Sequence, residues 1–149
     1  MKHEAAERLQ YGVLPYRVTD EVEIMLISSR ETKRWVIPKG WPIKGKKPHI
    51  SASIEAFEEA GLIGDADSHA IGAFYYVKRL KKSDEALCKV EVFPLKVKGQ
   101  AINWPEKNQR TCEWFSASEA AELVQEPELR DLLHRFRTKI EKRKFKKAS

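Results

Sequence analysis

Residues 40–62 constrain the fold of this 149-residue chain more than any other segment. Residues 35–38 precede it as a short apolar strand that ends in proline. A loop with a Pro-Lys-Gly turn follows, and then a helix-length stretch that begins near Pro48 and stops at Gly61. Proline suits the first turn of a helix, and glycine suits the left-handed residue that ends one. This order predicts a helix that packs on a sheet, with its loop beside a cleft.

Three glutamates lie near the end of the predicted helix. Glu55, Glu58 and Glu59 stand at positions i, i+3 and i+4, so they share one face. Like charges at this spacing repel, and a bound cation turns the repulsion into attraction. Ligands that are all oxygen suit Mg²⁺ or Mn²⁺. The alternative is a solvated acidic face. The cationic turn at Lys39 favours a metal and phosphate site, and with it phosphoanhydride chemistry.

The spacing of these residues resembles the signature of the Nudix hydrolases. Gly40 and Gly61 match the two glycines of that signature, and the three glutamates match its helix carboxylates. Two positions differ, since Lys46 stands where the family has Glu and Ile54 where it has Arg. The similarity extends over roughly residues 10–135.

The resemblance implies an α/β (α+β) fold, a Nudix-type α/β/α sandwich with a mixed β-sheet between helices. It also implies Mg²⁺ or Mn²⁺ as the cofactor, held by the three glutamates and the Gly40 carbonyl. One of the glutamates, or Glu113, would act as the base. Residues 103–106 and 113–116 resemble the subgroup that hydrolyses diphosphoinositol polyphosphates and dinucleoside polyphosphates.

Several residues are candidates for contacts with a small polyphosphate substrate. Arg110 matches a phosphate-contacting position of that subgroup, and an Arg fork suits phosphate. Trp41 can stack on a nucleobase or pack on the protein. Each lysine, taken alone, also fits a solvated surface. The candidate substrate-binding set is Lys39, Gly40, Trp41, Lys46 and Arg110.

Two other functions stay open from the sequence. Lys46 and Ile54 suggest a non-catalytic ligand-binding module with the same fold, although the intact glutamates argue against it. The second is an RNA 5′-end pyrophosphohydrolase, which would use the basic C-terminus to bind the RNA.

The net charge of +6 is concentrated at the C-terminus. Residues 135–149 hold eight Lys or Arg and one acid, so they carry 8 − 1 = +7, and residues 1–134 carry 6 − 7 = −1. We therefore expect one domain over residues 1–138 and a basic tail over residues 139–149. The tail fits a solvated helix end better than a nucleic-acid contact. We further expect a monomer or homodimer in the cytoplasm, without a membrane segment and with Cys88 and Cys112 as free thiols.

The apolar pattern predicts the remaining elements. Residues 11–18, 22–27, 70–79, 86–97 and 111–115 read as strands, with Pro15 marking an edge strand or a bulge. Ser116 is expected to cap a helix over residues 117–124, and Pro127 to begin another. On the predicted helix that carries the three glutamates, Ile50, Ile54 and Phe57 form the apolar stripe expected to face the sheet.

Overall fold

The computed structural model describes residues 7–81 and 84–148, so the ends of the predicted domain and tail lie outside the described residues. Within these described residues, eight strands and three helices follow one another: β1 (Glu7–Val18), β2 (Val22–Ser28), β3 (Trp35–Val36), β4 (Lys39–Gly40), α1 (Pro48–Ala60), β5 (Leu62–Ala66), β6 (Gly72–Arg79), β7 (Glu85–Gln100), β8 (Cys112–Ser116), α2 (Ala117–Leu123) and α3 (Pro127–Ala148).

The strands form one mixed sheet in the order β3-β2-β1-β7-β5, with β4 beside β1, β6 beside β7 and β8 beside β2. The β1–β7 pair is parallel, whereas the other pairs are antiparallel. The prediction of a mixed sheet is therefore confirmed. Strand β5 was not predicted from the sequence, because its five residues, Leu-Ile-Gly-Asp-Ala, carry a weak strand pattern.

Of the two alternatives predicted at Pro15, an edge strand or a bulge, the edge strand is wrong, because β1 lies between β2 and β7. On its β2 side, β1 pairs with β4 through Tyr11 and Gly12, and with β2 only from Tyr16 onward. Pro15 stands in the gap between these two ladders, where a residue without an N–H is tolerated.

The sheet separates two apolar layers, as the predicted sandwich requires. Val13, Met25 and Phe93 face α1, whereas their neighbours Leu14, Leu26 and Val92 face α2 and α3. This alternation follows from the two-residue period of a strand. The α/β/α architecture is confirmed. Among residues 7–81 and 84–148, no helix is long and apolar enough to cross a membrane.

Helix α1 packs on the sheet through a different face from the predicted one. Ala52, Ala56 and Ala60 are fully buried, whereas Ile50 and Phe57 are 40% and 39% exposed. The alanine face is the buried one because small side chains let the helix axis approach the sheet closely. The close approach also carries Glu59, the residue before Ala60, into the protein. Gly61 ends the helix with φ 67°, the predicted left-handed conformation.

The C-terminal helices confirm their predicted starts. The Ser116 hydroxyl accepts the Glu119 N–H at 3.1 Å and caps α2. Helix α3 begins at Pro127, buries Phe136 and Ile140, and continues without a break through residue 138 to Ala148. The expected domain boundary at residues 138 and 139 therefore falls inside a helix.

Candidate active site

A cleft of about 470 Å³ opens at the edge of the contact between α1 and the sheet. Residues from β1, β4, α1, β6 and the loops that follow β2 and β7 line it. Its described lining includes six cationic side chains and four carboxylates: Arg30, Arg34, Lys39, Lys78, Arg79 and Arg110, with Glu31, Glu55, Glu59 and Glu106. A concave surface with this excess of cations attracts anionic ligands.

Glu59 is held by donors on both carboxylate oxygens. Its Oε1 accepts the Lys39 backbone N–H at 3.2 Å, and its Oε2 accepts a guanidinium N–H of Arg110 at 3.4 Å. Burial raises the pKa of Glu59, while Arg110 and Lys39 pull it down. Burial of the alanine face of α1 thus places the Glu59 carboxylate against the chain segment that precedes the helix.

Glu55 lies directly against Gly40. A Cβ added at Gly40 would stand 2.3 Å from the Glu55 Cδ, so any larger residue collides with this carboxyl group. Burial, and then the charges of Glu59, Glu58 and Glu106, raise the pKa of Glu55 to about 7. The Glu55 carboxylate is therefore short of positive charge, in contrast to that of Glu59.

Arg110 enters the cleft from the loop between β7 and β8, and its side chain is only 9% exposed. It donates to the Glu106 carboxylate at 2.8 Å, to the Ser28 carbonyl at 3.2 Å and to Glu59. Arg110 thus lies where the sequence predicts a substrate contact, although three of its N–H groups already have protein acceptors.

The loop that carries Arg110 also fixes the C-terminal end of α1. The Glu106 N–H donates to the Glu58 carbonyl at 3.0 Å, the Ala101 N–H to the Gly61 carbonyl at 2.8 Å, and the Gln100 side chain to the Ala60 carbonyl at 2.9 Å. These are carbonyls that a helix end leaves without intrahelical partners. The loop therefore positions the helix turn that bears Glu58 and Glu59.

Glu106 is one of the cleft residues that were not predicted from the sequence. Its carboxylate binds Arg110 and lies 3.9 Å from Arg30, so it stands between two guanidinium groups of the cleft. The available signal was its position four residues before Arg110, a spacing at which an acid and a base meet on one helical turn.

Lys39 lies deep in the cleft beside Tyr76. Its ammonium is 4.8 Å from the centre of the Tyr76 ring, and burial lowers its pKa to about 8 against the opposing pull of Glu59. The Tyr76 hydroxyl donates to the buried Gln10 side chain at 2.6 Å. Burial raises the pKa of Tyr76, so this hydroxyl stays protonated and a donor.

The structure brings together only part of the predicted site. Lys39, Trp41, Glu55, Glu59 and Arg110 line the cleft, and Gly40 touches Glu55. The side chains of three candidates are absent from the described lining: Lys46, Glu58 and Glu113.

Two of those candidates point elsewhere for clear reasons. Lys46 is exposed in the loop before α1. Along β8, Cys112 and Trp114 pack on the α1 side of the sheet, so the alternation of side chains turns Glu113 to the other side. Its proposed role as a base gains no support from this position.

Comparison with known proteins identifies the family. Nudix hydrolase 21, a chloroplastic protein of Arabidopsis thaliana, is 34% identical over 138 residues, which cover 89% of this chain and 67% of the relative. Nudix hydrolase 12 of the same plant, a mitochondrial protein, is 31% identical over 148 residues, covering 87% and 72%. The chain is a Nudix hydrolase. No family model matches it.

Further similarities extend this assignment to the Nudix fold. Diphosphoinositol polyphosphate phosphohydrolase 3-alpha of Mus musculus is 29% identical over 115 residues, covering 75% of this Nudix hydrolase and 66% of the relative. Among solved structures, an Ap4A hydrolase of C. elegans superposes with a TM-score of 0.64 at 18% identity, covering 91% and 99%. A NUDIX hydrolase from Nitrosomonas europaea gives 0.68 at 14% identity, covering 88% of each chain.

The carboxylates of this Nudix hydrolase fit a hard divalent cation by their chemistry. Glu59 is a buried oxygen donor and Glu55 a half-buried one. Burial and then the neighbouring carboxylates raise the pKa of Glu55, and a bound cation would relieve the repulsion among these carboxylates. Within the described residues, no three Asp, Glu, His or Cys side chains converge as metal ligands. Glu59 is instead turned toward Arg110.

Proposed function

We propose that this Nudix hydrolase cleaves a phosphoanhydride bond in a diphosphoinositol polyphosphate or a dinucleoside polyphosphate. The observation that carries the proposal is the cleft, in which the helix glutamates Glu55 and Glu59 face a larger number of Lys and Arg side chains. A phosphoanhydride resists attack because its phosphorus is screened by negative oxygens, so a catalyst must neutralise that charge. The two relatives named for polyphosphate substrates support the same substrate class.

Mg²⁺ or Mn²⁺ would be held by Glu55, Glu58, Glu59 and the Gly40 carbonyl. Bound there, the cation would neutralise phosphate oxygens and lower the pKa of a water molecule. Glu55 is the best placed of these ligands, because it already touches Gly40 and has no cationic partner within ion-pair distance among the described residues.

The protein's own cations would bind and orient the phosphates. Lys39 lies beside Glu59 at the bottom of the cleft, and Lys78 and Arg79 line the β6 side. Trp41, at the cleft surface, would cover the substrate or stack on a base. The guanidinium of Arg110 lies beside Glu59, so the site contains an arginine although Ile54 stands where the family signature has Arg.

A substrate panel with product identification tests this proposal. Diphosphoinositol pentakisphosphate, diadenosine tetraphosphate and 5′-triphosphorylated RNA should be incubated with the full chain and Mg²⁺ or Mn²⁺. We expect metal-dependent turnover of at least one of the first two. Turnover of RNA alone, or binding without turnover in every case, would contradict the proposed substrate class.

Cytoplasmic location and a monomeric or dimeric state remain proposals from the sequence. Relatives are named as mitochondrial or chloroplastic proteins, so fractionation of cells that express the full chain is the appropriate test. Light scattering during size-exclusion chromatography measures the number of subunits.

A further inference from the structure

A second cavity, of about 300 Å³, lies between α3 and the loop that precedes β6. Leu132 and Phe136 form its apolar floor, and Arg135 and Lys139 provide two cations one helical turn apart. This cavity shares none of its lining with the cleft of the proposed active site.

Strand β6 packs closely on α3 beside this cavity. A Cβ added at Gly72 would stand 2.5 Å from a methyl carbon of Leu132, so glycine permits the contact. The loop over residues 67–71 is thereby held against the cationic side of α3. Asp67 is the one carboxylate in the described lining, and it accepts the His69 N–H at 2.9 Å within its own loop.

The outward side of α3 continues this positive charge toward the C-terminus. Lys142 and Arg143 are exposed, whereas Phe136 and Ile140 are buried against the core. Arg137 is the cation that pairs with the single acid of this stretch, Glu141, at 3.1 Å. We call Arg135, Lys139, Lys142 and Arg143 the basic α3 surface.

The basic α3 surface lies apart from the cleft. Near the start of α3, Glu126 pairs with Arg34 of the cleft at 3.3 Å. Near its end, the Lys144 ammonium donates to the Thr19 and Asp20 carbonyls, in the turn between β1 and β2. Arg135 and Arg143 lie about 12 Å and about 24 Å along the helix from Pro127. A phosphate between Arg135 and Lys139 therefore lies outside the cleft, whose lining residues are all different.

We propose that the basic α3 surface binds the sugar–phosphate backbone of single-stranded nucleic acid, with one phosphate in the cavity between Arg135 and Lys139. An Arg fork beside a lysine suits a phosphate group, and a row of cations one turn apart suits a repeating polyanion. A membrane fits less well, because the apolar residues of positions 135–144 are buried and cannot enter a lipid interface. This inference goes beyond the proposed hydrolase activity and does not depend on it.

The test is binding of a labelled single-stranded RNA of about 12 nucleotides, measured by fluorescence anisotropy with the full chain in EDTA at 50–200 mM salt. The double variant Arg135→Gln/Lys139→Gln should bind at least about tenfold more weakly at low salt. Its log–log salt dependence should be shallower by about 0.7, since one neutralised phosphate is lost and each phosphate of a single strand contributes roughly 0.7.

The matched control is Lys33→Gln/Lys44→Gln, which removes the same charge from exposed loops beside the cleft. It should bind RNA as the wild type does. Equal losses in both double variants would assign binding to net charge, and a loss in the control alone would assign it to the cleft. Either result overturns the proposal, as does wild-type protein that fails to bind RNA at 50 mM salt.

Two further measurements separate the remaining explanations. A poly-glutamate peptide that binds as tightly as RNA, with the same loss in the double variant, would assign the surface to acidic proteins and overturn the proposal. Hydrolysis of small polyphosphates should be unchanged in Arg135→Gln/Lys139→Gln. Wild-type protein inactive on every polyphosphate would refute the proposed function while leaving the RNA result intact.

Discussion

The two walls of the cleft differ in how firmly the protein holds their charged groups. On the α1 wall, Glu59 and Arg110 are buried and bonded to each other and to backbone groups. On the opposite wall, Arg79 at the end of β6 is exposed, and neither it nor Lys78 has an ion-pair partner in the described structure. The fixed wall suits chemistry that needs precise geometry, and the open wall suits recognition of charge.

The fixed wall should therefore control turnover, and the largest effect should come from Glu59→Gln. This change keeps the side-chain volume but removes a negative oxygen from the proposed metal site, so we expect kcat for metal-dependent hydrolysis to fall about 10²–10³-fold. Steady-state kinetics on the best substrate of the panel measures the effect.

Glu113→Gln is the matched control, since Glu113 lies on the other side of the sheet, and its kcat should change less than about twofold. A Glu59→Gln enzyme with wild-type turnover, or a larger loss in Glu113→Gln, would contradict the assignment of the α1 wall.

The second effect tests the contact between the two chain segments of the fixed wall. Gly40→Ala places a methyl group 2.3 Å from the Glu55 Cδ, so either the carboxyl group or the loop must move. We expect a loss of about 1–3 kcal/mol in the free energy of unfolding, together with reduced turnover. Urea denaturation and kinetics on the same preparation measure both.

Gly99→Ala is the internal control for that experiment. A Cβ added at Gly99 meets no atom within 4 Å, and Gly99 lies in β7, so alanine should change stability by less than about 0.5 kcal/mol. Similar losses in the two variants would show that the Gly40–Glu55 contact does not distinguish this position.

The contrast between the walls also shows what the sequence could predict. Helix α1, its left-handed Gly61 and the mixed sheet could be predicted from local signals, namely the positions of proline and glycine and the two-residue period of strands. The buried side of α1 did not follow, because three alanines and three larger apolar residues offered two candidate faces. The choice depends on how closely the helix approaches β1, and that distance is a property of the packed sheet.

The predicted part of the site lies mostly in one segment of the chain. Lys39, Gly40, Glu55 and Glu59 lie within 21 residues of one another, and Arg110 was predicted from the family resemblance. The role of Glu106 was not predicted, because it depends on loop residues 101–110 folding back on the end of α1. The orientation of Glu113 depends on the register of β8 with β2, which composition does not determine.

The open wall should control affinity for the substrate rather than turnover. Lys78→Gln/Arg79→Gln removes two cations from the β6 side of the cleft, where they would contact phosphates in the ground state and the transition state alike. We expect KM to rise about tenfold with kcat within about twofold of wild type. A loss confined to kcat would mean that these side chains act on the reacting phosphate, and it would contradict the assignment of affinity to the open wall.

The smallest effect concerns Glu55, whose pKa is raised from 4.5 to about 7 in the folded protein, first by burial and then by neighbouring carboxylates. Between these values the folded state binds more protons than the unfolded state, so the free energy of unfolding should decrease as pH rises from 4.5 to 7. Because Glu55 is partly solvated, we expect only about 1 kcal/mol from it. The raised pKa of Glu59 acts in the same direction.

Urea denaturation in EDTA at several pH values measures this slope, and Glu55→Gln should flatten it because Gln does not titrate. Glu119→Gln, a change at an exposed acid of α2, should leave the slope as it is. An unchanged slope in Glu55→Gln would place the destabilising charge elsewhere. Added Mg²⁺ at pH 7 should stabilise the wild type more than Glu55→Gln, since a cation that binds only the folded site shifts the equilibrium toward it. Glu55, which has no ion-pair partner among the described residues, is then the carboxylate that the metal stabilises most.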